Sequence, residues 1–258
     1  MKIGVCFKIV PDFEDTDPSD WETPEALDFR YVKKIYGCYD EAALETALRL
    51  QDQLRAAGVE ASTTAVTLGA PDSTTAEASM RALFAAGFQD VVTIPGPADF
   101  QPRYTAAVLA DYFRNNPVDL ILCGKMVGPG DSGMVPLHLA RELDLDFFPE
   151  VTAAAYDPDL GSVVLSCKEA TAVHRRQVTA KALCTLGDAE AAYLRLFPLK
   201  ARMAARSRSF TLWPNSRETD APRLTLYRPA VPDSQCRYLT PETAPDELLE
   251  ILKGGSRS

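Results

Sequence analysis

The chain has 258 residues, 46% hydrophobic and 24% charged, which is enough for one large or two small domains with a sizeable core. Its 36 acidic against 27 basic residues leave a formal charge of −9, so the broad basic surface of a nucleic-acid binder is excluded. No apolar run approaches the ~18 residues of a membrane span.

The first element, "KIGVCFKIV", is a buried-strand run. The N-terminus carries a charge and an apolar stretch but runs into "PDFEDTDPSD" with no small-residue cleavage site, so a first strand is expected and no leader peptide. "YDEAALETALRLQDQLRAAG" has helical spacing and closes on Gly58. The strand "EASTTAVTLG" and the helix "STTAEASMRALFAAG" follow, then the strand "DVVTIPG", the helix "PRYTAAVLADYFRNN" and the strand "VDLILCG". A glycine-rich loop leads into the helix "GMVPLHLARELD". This βαβα alternation predicts an α/β fold: a parallel, Rossmann-like nucleotide-binding sheet with helices on both faces.

From about residue 145 the texture becomes β-rich, with a hairpin turn over Asp157–Gly161. After Asp188 come "AEAAYLRLFPLKARMAARSRSFTLW", a proline-rich run and a short helix, "PDELLEILKGG". This tail has too few periodic elements for a core of its own. Its apolar residues, including Leu212, Trp213, Leu224, Leu226 and Tyr227, need a surface on the same chain or on a partner. The division predicted is a core over 1–190 and a recognition loop with a C-terminal, partner-wrapping arm over 191–258. The six cysteines (6, 38, 123, 167, 184 and 236) lack CxxC or zinc spacing and read as buried thiols of a reducing, cytoplasmic compartment.

The loop "CGKMVGPGDSG" spans Cys123 to Gly133 between a strand and a helix. In open parallel sheets ligands bind at the carboxyl ends of strands, where a helix start offers free N–H groups to an anion. Gly124 ends the strand; Gly128, Gly130 and Gly133 permit close backbone approach, and Asp131 or Ser132 would cap the helix. A phosphate seat and a plain capping turn fit these residues equally. The loop is neither a Walker motif nor GxGxxG, because Lys125 precedes the glycines. His138 and His174 lie far apart and indicate neither a metal site nor a Ser-His pair. Ser132 has no identifiable base, and no acid/base constellation marks a hydrolase.

Five segments, in order and spacing, resemble the beta subunit of electron-transfer flavoproteins: "VCFKIVPD" (5–12), "YDEAALETALRL" (39–50), "VTLG" (66–69), "DLILCGKMVGPGDSG" (119–133) and "LRLFPLKARMAARSR" (194–208). The resemblance implies an α/β nucleotide-binding domain with a C-terminal arm, in an obligate dimer with an alpha subunit that shares an FAD. It also implies an adenine nucleotide in the beta subunit: AMP in simple carriers, or a second FAD in members that bifurcate electrons from NADH. Carried over, the nucleotide contacts fall at Cys6, Gly37, Leu68 and Asp131 to Val135. Asp131 matches the family's loop acid and Ser132 its small hydroxyl residue. Gly37 stands where the family has Asn, Met126 where it has Gln, and Pro129 where it has an acid. Gly133, Met134 and Val135 replace a polar triplet. Three lost side-chain hydrogen bonds at roughly 1 kcal/mol each would weaken nucleotide binding about 100-fold. Backbone N–H groups survive such changes.

Leu199, with Lys200 and Arg202, aligns with the leucine that the family presents to its dehydrogenases, acyl-CoA-type or another flavoenzyme. A buried helix start is the alternative for Leu196, Phe197 and Leu199. Arg202, Arg206 and Arg208 read as a solvated face or an acidic-partner contact, and His174-Arg175-Arg176 as an exposed basic strand or a flavin-facing one. The leading expectation is therefore an electron-carrier subunit, not a catalyst by itself. The rivals are a stand-alone adenine-nucleotide sensor and a degenerate scaffolding subunit; the long arm argues against the sensor, and the eroded loop motivates the scaffold.

Overall fold

The first strand, β1 (Lys2–Cys6), sends Ile3 and Val5 to one side and Cys6 to the other, and everything after Lys2 is buried. Burial on both faces is what a central parallel strand requires. The computed structural model describes residues 1–16, 32–69, 71, 74–97, 101–128, 131–170, 172–218, 240, 244–246, 248 and 249. The chain divides into two units, Met1–Arg223 and Leu224–Ser258. In the second, residues 244–246 and 248–249 are helical, while Leu224, Leu226 and Tyr227 lie outside the described residues.

The apolar run "KIGVCFKIV" is not one strand. It leaves the sheet after Cys6, and β2 (Ile9–Pro11) pairs instead with β3 (Lys34–Tyr36) in a separate antiparallel ribbon. A tertiary contact marks the point: Lys8 gives its backbone N–H to a side chain, the Asp40 carboxylate, and the ladder ends there.

The predicted alternation then follows in order: α1 (Cys38–Ala56), β4 (Ser62–Leu68), α2 (Thr74–Ala86), β5 (Asp90–Ile94), α3 (Pro102–Asn115), β6 (Leu120–Gly124) and α4 (Met134–Leu143). The β-rich region supplies β7 (Asp146–Asp157), β8 (Ser162–Glu169), β9 (Ala172–Gln177) and β10 (Ala182–Leu186); α5 (Leu199–Ala205) and β11 (Thr211–Leu212) complete the unit. All but the ribbon join one sheet in the order β11-β5-β4-β1-β6-β10-β7-β8-β9. It is parallel from β11 to β7, and only the β7–β8 and β8–β9 pairs are antiparallel. The β-rich segment is thus a continuation of the core sheet. β10, buried throughout, returns to lie between β6 and β7. The turn joining β7 to β8 falls at Asp157–Gly161 as expected, and Asp157 Oδ1 accepts from the N–H groups of Asp159 and Leu160.

Alternation divides the core in two. Leu120 and Leu122 of β6 pack with α1 residues such as Leu44 and Leu48, while Ile121 and Cys123 pack with Leu109 and Phe113 of α3 and Leu139 of α4. Helices therefore cover both faces, as the βαβ pattern requires. The chain after α5 comes back to the sheet: β11 adds to the β5 edge, the Trp213 N–H bonds Thr93 O at 3.0 Å, and its indole meets Tyr112 edge-on at 5.4 Å. For Trp213 the surface needed is this chain's own. Among the described residues no helix is long and apolar enough to cross a membrane.

Candidate nucleotide site at the strand tips

From β1 the chain moves outward through β4 to β5, then jumps back to place β6 on the other side of β1. At such a reversal the loops leave in opposite directions and open a crevice at the carboxyl ends. Here it is a cavity of about 270 Å³, floored by Cys6, Val66, Leu68 and Cys123, and walled by the start of α3 and by the loop into α4.

Asp40 organises it. It is the third residue of α1, only 5% exposed, and its side chain crosses to the strand tips. Oδ2 accepts from the Lys8 N–H at 2.9 Å and Oδ1 from the Gly124 N–H at 3.0 Å. An acid at this helical position normally turns back on its own helix cap; Asp40 instead ties α1 to the exits of β1 and β6. Burial pushes its carboxyl up to about 7, with the Lys8 and Gly124 N–H groups and the Lys8 charge pulling the other way. The close approach explains Gly124: a Cβ there would lie 2.4 Å from Asp40 Oδ1 and 2.7 Å from its nitrogen. Gly37 is compact for a similar reason, since a Cβ would sit 2.3 Å from Val127 Cγ2. An asparagine side chain at 37 has no room beside that valine.

Two cations stand at the loop side. Lys8 Nζ lies 3.4 Å from Gly128 O, and Lys125 Nζ lies 3.4 Å from Glu150 Oε2 and 4.7 Å from the Tyr39 ring centre. Burial works against the Lys125 charge, but Glu150 and Tyr39 outweigh it and its pKa is raised. The helix start departs from expectation. Its capping position is Gly133, in the left-handed region at φ 61°, so neither Asp131 nor Ser132 is the cap. Ser132 sits one residue earlier, where its Oγ accepts weakly from the Met134 N–H at 3.4 Å, and Asp131 is itself left-handed at φ 36°. Pro136 removes one N–H from the first turn, which leaves Val135 and the weakly held Met134 to face an anion.

Of the residues expected here, Cys6, Leu68, Gly124 and Asp131 to Val135 come together around the cavity. Gly37 and Gly128 flank it without lining it, and Gly130 lies outside the described residues. Sequence reasoning missed Lys8, Asp40 and the α3 wall of Gln101, Pro102, Thr105 and Leu109. Asp40 carried a signal, an acid in the first turn of an amphipathic helix right after a strand pair; Thr105 carried none. Cys6 and Cys123 sit in register on adjacent strands, and their shared hydrogen bond, with burial, holds the Cys123 thiol well above its usual range. Four of the five described cysteines are buried; Cys38 is exposed.

The chain matches the electron transfer flavoprotein domain over residues 32–216. It belongs to that family. Similar proteins include the putative electron transfer flavoprotein subunit YgcR of Escherichia coli (strain K12), 29% identical over 163 residues, which cover 61% of this chain and 60% of that protein. Protein FixA of Azotobacter vinelandii is 32% identical over 127 residues, 47% of this chain and 42% of its own length. The acryloyl-CoA reductase electron transfer subunit gamma of Anaerotignum propionicum is 29% identical over 171 residues, 64% of this chain and 59% of its own. The matched stretches thus span about 42–60% of these relatives.

In this family member the segment before α5 is fastened to α1. The guanidinium of Arg195 meets buried Glu45 at 3.1 Å and Asp52 at 2.6 Å, and its backbone N–H also bonds Glu45 at 2.9 Å. Leu194, Phe197 and Phe210 pack on the core, whereas Leu196 is 99% and Leu199 72% exposed. The buried reading therefore holds in part for Phe197, which is half-buried against the core, and fails for the two leucines. Lys200 and Arg202 are exposed as well. Arg208 is no free surface cation: it lies over the Phe84 ring at 4.5 Å and donates to Gln89 O at 2.6 Å. His174, Arg175 and Arg176 stand on the fully exposed β9, with Arg176 paired to Glu169 at 3.3 Å.

Proposed function

We propose that this chain is the beta-type subunit of a heterodimeric electron-transfer flavoprotein of the cytoplasm. Its cavity holds an adenine nucleotide, and it shapes an FAD site together with an alpha subunit. The observation that carries the reading is the gathering of Cys6, Leu68, Gly124 and Asp131–Val135 around one cavity at the sheet's reversal point. The residues fit a nucleotide. The floor is apolar, two lysines stand on the loop side, and the Met134 and Val135 N–H groups open the α4 helix. About 270 Å³ lies just below the ~300–1,000 Å³ of small-molecule sites. That size favours AMP over a whole second FAD.

FAD, when bound, supplies the one- and two-electron chemistry. This chain's residues hold the nucleotide, exclude water from the strand tips and present Leu199, flanked by Lys200 and Arg202, to a partner dehydrogenase. A second reading, a scaffolding subunit with an empty loop, is favoured by Pro136 and by the apolar Met134 and Val135. The test is to co-purify the chain with its alpha partner and quantify FAD and AMP released per heterodimer on denaturation. One FAD with one AMP supports the simple carrier, and two FAD without AMP the bifurcating form. One FAD alone supports the scaffold. Failure to form any flavin-bearing heterodimer would overturn the proposal.

A further inference from the structure

The α3 wall of the cavity holds a polar atom with nothing to bond. Thr105 is 8% exposed and lines the cavity, and its buried Oγ1 finds no hydrogen-bond partner among the described residues. Its backbone N–H is already used on Gln101 O at 2.9 Å, so the hydroxyl alone is left over. A threonine on a helix ordinarily returns its hydroxyl to the preceding turn; this one does not. Around it the wall is apolar, formed by Val66, Leu68 and Leu109. An unpaired hydroxyl buried in such surroundings is a standing cost, and a bound group that bonds it removes that cost.

The two sides of the cavity differ in chemistry. α3 follows β5 and the α4 loop follows β6, and these two strands lie on either side of β1 in the sheet. The loop side offers Lys8, Lys125 and helix N–H groups, which suit a phosphate. The α3 side offers apolar surface with the Thr105 hydroxyl and the Gln101 side chain, which suits a flat heteroaromatic ring with a hydrogen-bonding edge. We propose that Thr105 is the base-reading residue of this pocket, its Oγ1 bonding the edge of an adenine ring whose phosphate lies toward α4. This rests on the nucleotide reading above and adds to it a residue that decides which base is accepted.

The experiment is calorimetric titration of the full chain, in complex with its alpha partner and stripped of nucleotide, with AMP, FAD and ribose 5-phosphate. Thr105→Val keeps the shape and removes the hydroxyl; Thr105→Ser keeps the hydroxyl. Thr105→Val should bind AMP about tenfold more weakly, and Thr105→Ser within about twofold of the native chain. FAD, whose adenine end is the same, should lose as much if it is the tighter ligand. Ribose 5-phosphate should bind all three alike. The ligand-free melting temperature of Thr105→Val should match or exceed the native one, because no bond is broken and an unpaired hydroxyl is gone. This opposite movement of stability and affinity separates recognition from mere packing. Unchanged AMP and FAD binding in Thr105→Val, or an equal loss for ribose 5-phosphate, overturns the assignment while leaving the nucleotide site in place. If the native complex takes up neither AMP nor FAD, the nucleotide site falls too.

Discussion

Replacing Asp40 with Asn tests the electrostatics of the strand-tip clasp. The Asp40 carboxyl titrates near 4 in an unfolded chain, and burial raises it to about 7 in the fold. Its folded pKa lies above its unfolded one, so folding favours the protonated form. The associated stability is present below pH 4 and is lost as pH rises through 7. Three decades of proton affinity at about 1.4 kcal/mol each make the full loss about 4 kcal/mol, of which about 3 kcal/mol falls between pH 5 and pH 8. The Asn variant cannot titrate. Its amide also turns an N–H toward the N–H of Lys8 or Gly124, so it starts from a lower stability, and the informative quantity is the pH dependence of the difference between the two proteins. Urea unfolding of native and Asp40→Asn chains at pH 5, 6, 7 and 8 measures it. The native advantage should shrink by about 3 kcal/mol from pH 5 to pH 8. Parallel profiles would refute the claim that a buried, desolvated carboxylate sits between the strand tips.

Three further outcomes follow from the same geometry. Gly124→Ala drives a methyl group into Asp40 and the α1 backbone and should cost about 3 kcal/mol in a denaturant melt; a neutral result would mean that α1 does not approach β6 so closely. Glu45→Ala strips Arg195 of a carboxylate that is 3% exposed and leaves a backbone N–H unpaired, so a loss of about 3 kcal/mol and faster proteolysis near residues 194–198 are expected. Leu199→Ala should leave the melting temperature unchanged, since the side chain is 72% exposed, yet, if the proposed carrier role is right, slow electron transfer to a partner dehydrogenase about tenfold. Equal rates would remove Leu199 from the docking surface.

The fold was largely legible because local chemistry and tertiary demand agree along most of the chain. Period-3.6 helices closing on Gly58 and Gly87, and strands apolar on both faces, admit few arrangements other than a parallel sheet covered on two sides. The β1 run read too long because nothing in "CFKIV" shows that a carboxylate thirty-two residues away takes the Lys8 N–H. Leu196, Phe197 and Leu199 look alike in sequence; only packing separates the half-buried Phe197 from the exposed leucines.

The sequence by itself determined the element types, their alternation, the position of the loop after β6 and, through its five ordered segments, the family. These depend on periodicity, on glycine and proline positions and on local order, all of which are written along one dimension. Only the tertiary structure decided that β10 inserts beside β6, that Asp40 joins three elements, that Gly133 and not Ser132 begins α4, and that Thr105 on the cavity wall keeps a buried, unpaired hydroxyl. Each depends on which groups meet across long sequence separations, and on whether a polar atom finds a partner there. A composition or a spacing cannot encode that.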